Sequence, residues 1–288
     1  MILLPLALLA IQAAPSLPAS PDPMPPRRNR PEAAAPAPPP PAPQADDPAS
    51  ARYRQCTDQI RANAEAAVAA ANTWRQEGGG IAARQCLGLA LAALERWQAA
   101  ATAFEQAARE AEGANDPRRP DFWAQAGNAW VAAGDGRKAL AALDAALLSP
   151  NLTDELRGEV HLDRARARVA MADNDGARTE LDRAAQLVPN DPFAWYLSAA
   201  LARRVNDLPR AAADIAHARQ LAPDSPDVLL LAGTIAGLQG NMAEAERLYR
   251  QVATAAPNSD AGRQAQESLA TMREVEAPAA TPTPQAPH

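Results

Sequence analysis

The chain has 288 residues, of which 47% are hydrophobic and 4% aromatic, and its formal net charge is −6. This charge argues against a nucleic-acid partner, because a surface that follows phosphates needs an excess of basic residues. Three histidines, two cysteines and the lack of any metal-binding or phosphate-binding motif leave little material for a catalytic centre. We therefore expect no enzymatic activity and no cofactor.

The N-terminus has the layout of a secretory signal. An apolar run at residues 2–11 is followed by small residues, although no Lys or Arg precedes the run. We expect residues 1–19 to be a signal peptide and the protein to be periplasmic, with a cytoplasmic location as the alternative. The run is shorter than the about 20 residues that cross a bilayer, so no membrane span is expected once the signal is removed.

Both ends of the chain are rich in proline. Residues 15–50 hold fourteen of the 28 prolines, and residues 276–288 hold four more without a large apolar side chain. Such segments bury too little surface to offset the entropy of ordering them. The sequence predicts a disordered linker at residues 20–50 and a disordered tail at residues 276–288.

The remaining middle part is rich in alanine, and nothing in it alternates with the period of a strand, which predicts an all-α fold. Within it one pattern occurs five times, at spacings of 39, 38, 34 and 34 residues. Its anchor is an alanine, preceded by a small residue twelve positions earlier and followed by a large apolar residue after four positions and a small one after seven. The anchors are Ala100, Ala139, Ala177, Ala211 and Ala245; the large residues are Phe104, Leu143, Leu181, Ile215 and Tyr249.

The second copy shows the pattern most completely. Its first half carries Trp123, Ala126, Gly127 and Trp130, and its second half carries Ala139, Leu143 and Ala146. This arrangement resembles the tetratricopeptide repeat, in which small residues let two helices approach closely. The resemblance implies a right-handed α-solenoid of helix-turn-helix repeats that serves as a protein–protein interaction scaffold.

The resemblance also predicts the domain organisation. Residues 51–80 would form degenerate capping helices, residues 81–259 five repeats (81–119, 120–157, 158–191, 192–225 and 226–259), and residues 260–275 a C-terminal capping helix. The two longer copies carry their extra length at residues 112–119 and 150–157, as longer loops or an added helical turn. We expect looser packing in the third copy, where His161 stands at an aromatic position beside Asp163 and Arg164.

Two further sets of residues are candidates for a specific role. Cys56 and Cys86 flank a glycine-rich turn and would form a disulfide in an exported protein, the alternative being two buried thiols. The resemblance implies that a peptide or protein partner lies in the concave groove of the first helices. The positions that would contact it are Asn128, Arg166, Tyr196, Arg203 and Arg204, where the asparagine would hold a peptide backbone and the arginines a carboxylate.

Other interpretations remain open at this point. Each of the arginines also fits a solvated surface position. The whole chain also fits a structural protein that assembles with copies of itself, or a cytoplasmic adaptor.

Overall fold

The computed structural model describes residues 48–150 and 152–276. These residues form thirteen α-helices and no strand. The helices are α1 (Pro48–Ala62), α2 (Ala64–Gln76), α3 (Gly80–Ala93), α4 (Trp97–Gly113), α5 (Arg119–Ala132), α6 (Gly136–Leu147), α7 (Asp154–Ala170), α8 (Asn174–Leu187), α9 (Pro192–Arg204), α10 (Leu208–Leu221), α11 (Pro226–Leu238), α12 (Met242–Ala255) and α13 (Asp260–Glu276). The predicted signal peptide and most of the predicted linker and tail lie outside the described residues.

The helices from α3 to α12 form five hairpins, each made of two consecutive helices. Every hairpin packs against the next, while α1 and α2 cover one end of the series and α13 packs on α12 and α11 at the other. The result is the right-handed α-solenoid that the repeat predicts.

The turns inside the last four hairpins share one construction. A residue in the left-handed conformation ends the first helix, and the next residue caps the second helix with its side chain, which accepts a bond from the backbone N–H three residues on. The left-handed residues are Gly134, Ala172, Asn206 and Gly240, and the capping residues are Asp135, Asp173, Asp207 and Asn241.

The repeated small residues bring the paired helices together. All five anchor alanines are buried, and so are the large residues four positions later. A Cβ added at Gly88 would lie 2.5 Å from Cε1 of Phe104, and one added at Gly127 would overlap the side chain of Leu143. The opposite helix therefore occupies the space that a side chain at these glycines would need.

Three helix boundaries differ from the sequence-based ones. α1 begins at Pro48, inside the predicted linker (20–50), and α13 ends at Glu276, the first residue of the predicted tail. α7 begins at Asp154, inside the predicted second repeat (120–157), because Thr153 caps it by accepting a bond from the N–H of Leu156 at 3.2 Å. The extra length is mainly helical, since α4 and α7 have 17 residues each.

Candidate functional site

Two of the predicted groove residues are bound to one carboxylate inside the protein. Nδ2 of Asn128 on α5 donates to both carboxylate oxygens of Asp163 on α7, at 3.1 and 3.0 Å. Nη1 of Arg166 donates to Asp163 Oδ1 at 2.8 Å. Because Asp163 is 2% exposed and Arg166 4% exposed, this group lies below the surface.

Arg166 thus differs from the exposed groove position that the resemblance implied. Its charge is balanced by Asp163 one turn earlier on the same helix, a spacing that brings two side chains together. That spacing is visible in the sequence and would have indicated the pairing. The arrangement ties α5 to α7 and leaves the guanidinium without access to a partner's carboxylate.

The other three predicted groove residues lie on α9. The ring of Tyr196 is half-buried and stacks on Phe193, with 6.2 Å between the ring centroids. Arg203 is half-buried and Arg204 exposed, both in the last turn of the helix. The structure therefore divides the predicted site into an internal pair, Asn128 and Arg166, and a more accessible set on α9.

The third hairpin contains a buried charge cluster that the sequence analysis did not anticipate. Oε2 of Glu180 lies 2.6 Å from Nδ1 of His161, and Oε1 accepts a hydrogen bond from Arg164 at 3.0 Å. His161 is 8% exposed and Glu180 2% exposed. The looser packing expected for this hairpin is thus not observed, because His161, at the aromatic position, is buried against Glu180.

Two opposing effects determine the pKa of Glu180. Burial disfavours the charged carboxylate, but the hydrogen bonds from His161 and Arg164 and their charges outweigh it and lower the pKa to about 2. The carboxylate consequently stays ionised at neutral pH. Because both carboxylate oxygens of Glu180 are bonded to residues of α7, the cluster stabilises the contact between α7 and α8.

Neither a metal site nor a membrane-spanning helix is found in the described part of the chain. They contain no group of three or more His, Cys, Asp or Glu side chains placed to hold a metal ion. No helix among them is long and apolar enough to cross a membrane.

A disulfide joins the first helix to the body of the solenoid. Cys56 on α1 and Cys86 on α3 are bonded, with their Cα atoms 6.2 Å apart, a distance within the normal range for disulfides. Both residues are buried, at 6% and 1% exposure. The bond holds α1 against α3, and the state of these cysteines in the cell remains a prediction.

Comparison with known proteins supports the fold. No protein-family model matches the chain, and no curated protein is significantly similar to it in sequence. Among solved structures, PilW, a type IV pilus biogenesis factor, matches with a TM-score of 0.64 and 17% identity over 77% of this chain and 100% of its own. PilF of Pseudomonas aeruginosa matches with a TM-score of 0.59 and 17% identity, over 76% and 97% of the two chains. A tetratricopeptide-repeat protein of Parabacteroides merdae matches with a TM-score of 0.60 and 14% identity, over 78% and 86%. The chain thus has the fold of the tetratricopeptide-repeat proteins.

Proposed function

We propose that the chain is a non-enzymatic scaffold that binds a peptide or protein segment along its first helices. The observation that carries this proposal is the packing of five successive hairpins, which repeats equivalent positions of α3, α5, α7, α9 and α11 along the solenoid. The repeated side chains between the helices are used for packing. Function then falls to the residues that this packing leaves accessible.

The candidate contact residues have different roles in this proposal. Tyr196, Arg203 and Arg204 are accessible enough for a partner to touch, and the arginines would bind a carboxylate or a backbone carbonyl. Asn128 and Arg166 act indirectly, because their bonds to Asp163 fix the position of α7 relative to α5.

Cross-linking from defined positions tests this assignment. A photoreactive benzoylphenylalanine placed at Tyr196 should give a cross-linked partner in cells that produce the protein. The matched control is Leu148, a large side chain that is 81% exposed in the connection between α6 and α7. Adducts from Leu148 and none from Tyr196 would refute the proposed surface.

We also propose that the protein is exported to the periplasm. A stable disulfide is typical of an oxidising compartment, and the apolar run at residues 2–11 suits a secretory signal. Fusing residues 1–26 to a reporter that is active only outside the cytoplasm should give a signal. An inactive fusion, together with free thiols at both cysteines in protein from cells, would favour the cytoplasmic alternative.

The oligomeric state separates the scaffold from a self-assembling structural protein. A scaffold should scatter light as a monomer or dimer at micromolar concentration. Mass that keeps growing with concentration would favour assembly of the chain with its own copies.

A further inference from the structure

A cavity of about 530 Å³ opens beside the turns of the second and third hairpins. Its walls come from the start of α4, the end of α5, the start of α6 and the end of α7. Its volume lies within the range of about 300–1,000 Å³ that is usual for ligand sites. We call it the turn cavity; it lies at the hairpin turns, apart from the predicted groove residues of α5, α7 and α9.

The charged groups of the turn cavity leave a positive excess. Nζ of Lys138 lies 3.1 Å from Oδ2 of Asp135, so these two charges balance each other. The hydrogen bond from the backbone N–H of Lys138 lowers the pKa of Asp135, which keeps that carboxylate ionised. The side chain of Arg137 is exposed and forms no hydrogen bond or salt bridge with the described residues, although its charge adds to the lowering of the Asp135 pKa. Its guanidinium is available to a ligand.

The apolar side of the turn cavity is fixed by its neighbours. The indole N–H of Trp130 donates to Glu105 at 2.7 Å, and Lys138 lies 4.2 Å above its ring. Met171 is 46% exposed and packs closely on Gly136, where an added Cβ would lie 2.7 Å from Cγ of the methionine. The exposed apolar side chain in the cavity is therefore that of Met171, and Arg137 lines the same cavity.

Other exposed apolar side chains lie at the corresponding turns of the later hairpins. Val205, Leu238 and Met242 are at least 40% exposed and lie in or beside the turns of the fourth and fifth hairpins. Together with Met171 they make up four of the five large apolar side chains that are exposed in the described residues.

We propose that the turn cavity binds an acidic segment of a partner protein, with a carboxylate on Arg137 and a neighbouring aliphatic side chain on Met171. Arginine suits this role because its guanidinium can bind a carboxylate through two parallel hydrogen bonds. The charge of Arg137 favours an acidic segment over a basic one. The exposed side chain of Met171 favours a peptide segment, which can supply an aliphatic side chain, over a small anion. This site is separate from the surface of the first helices and would give the scaffold a second contact.

The test uses the ¹⁵N-labelled full chain and two capped tripeptides, acetyl-Leu-Glu-Leu-amide and its uncharged counterpart acetyl-Leu-Gln-Leu-amide. The indole N–H resonance of Trp130, assigned with Trp130→Phe, reports on the cavity. We expect the Glu peptide to shift this resonance and the Gln peptide to bind at least tenfold more weakly. Arg137→Ala should weaken the binding of the Glu peptide by a similar factor.

Matched variants separate this site from the first-helix surface. Arg75→Ala removes another exposed arginine and should leave the titration unchanged, as should Tyr196→Ala. Circular dichroism checks that each variant is folded. The proposal is overturned if the Glu peptide leaves the Trp130 resonance unmoved, if Arg137→Ala binds as the parent does, or if Tyr196→Ala alone abolishes binding.

Discussion

Gly127→Ala should destabilise the solenoid, although alanine is the better helix former. In the middle of α5 the replacement favours the helix by about 1 kcal/mol. The new methyl group, however, would overlap the side chain of Leu143, which is fully buried. Overpacking of this kind costs about 1–3 kcal/mol, so we expect a net loss of up to about 2 kcal/mol.

A double-mutant cycle isolates the contact. Leu143→Ala alone leaves a cavity and should cost about 2–5 kcal/mol. In the combination with Gly127→Ala, the added methyl occupies part of that space and no longer clashes. The double variant should therefore be more stable than the sum of the single effects by roughly 1–3 kcal/mol.

Urea unfolding followed by far-ultraviolet circular dichroism measures each difference. Gly237→Ala is the matched control, because its methyl would lie 3.7 Å from Cβ of Ala245, an ordinary contact. This control should gain up to about 1 kcal/mol from helix propensity. If the alanine replacements at Gly127 and Gly237 change the free energy of unfolding equally, or if the effects of the Gly127 and Leu143 replacements are additive, the role of Gly127 is not to allow α5 and α6 to approach closely.

Three further predictions concern the disulfide and the buried charges. Reduction should lower the free energy of unfolding by about 3–4 kcal/mol, given the 30-residue separation of Cys56 and Cys86; a variant with both cysteines replaced by alanine should not respond to reductant in the same urea titration. Glu180→Gln should cost up to about 3–5 kcal/mol at neutral pH, because it removes the buried charge that His161 and Arg164 share, although Arg164 keeps its ion pair with Asp144. Folding lowers the pKa of Glu180 to about 2, so the greater stability of the parent should be fully present above pH about 4.3, the pKa of an unfolded glutamate, and should disappear as the pH falls towards 2. If the difference in unfolding free energy between parent and variant does not change with pH in urea titrations, the charge of Glu180 is not its cause. Asn128→Ala removes one donor from the buried carboxylate of Asp163 and should cost about 1–3 kcal/mol of stability by the same measurement; unchanged stability would mean that the bond is not structural.

The fold could be predicted from the sequence because its repeated contacts are local. An anchor such as Ala139 and its partner Leu143 lie one turn apart on one helix, and Gly127 faces them across a short turn. Five copies of this pattern define both the hairpin and the way it repeats. The same pattern identifies position 127 as one that does not tolerate a larger side chain than that of glycine.

The site was only partly predictable, because its contacts join helices whose relative rotation cannot be derived from the repeat pattern of the sequence. The pairing of Asp163 with Arg166 has a local signal, but the bond from Asn128 depends on how α7 lies against α5. Glu180 gains its partners only when α8 folds back on α7. The turn cavity needs four helices at once, and no spacing in the chain indicates it.

The disulfide also bears on how long the array can become. The bond fixes α1 over α3, and Cys56 is the single buried side chain among the residues of α1, so the helix presents mainly polar atoms outward. At the opposite end, α13 buries only a narrow stripe that includes Ala261, Ala265 and Leu269. Among the described residues, none of the exposed large apolar side chains lies on α1 or α13, so neither helix offers a second molecule the apolar surface that one hairpin offers the next. We therefore expect the described array to keep a fixed number of hairpins and not to add further copies end to end.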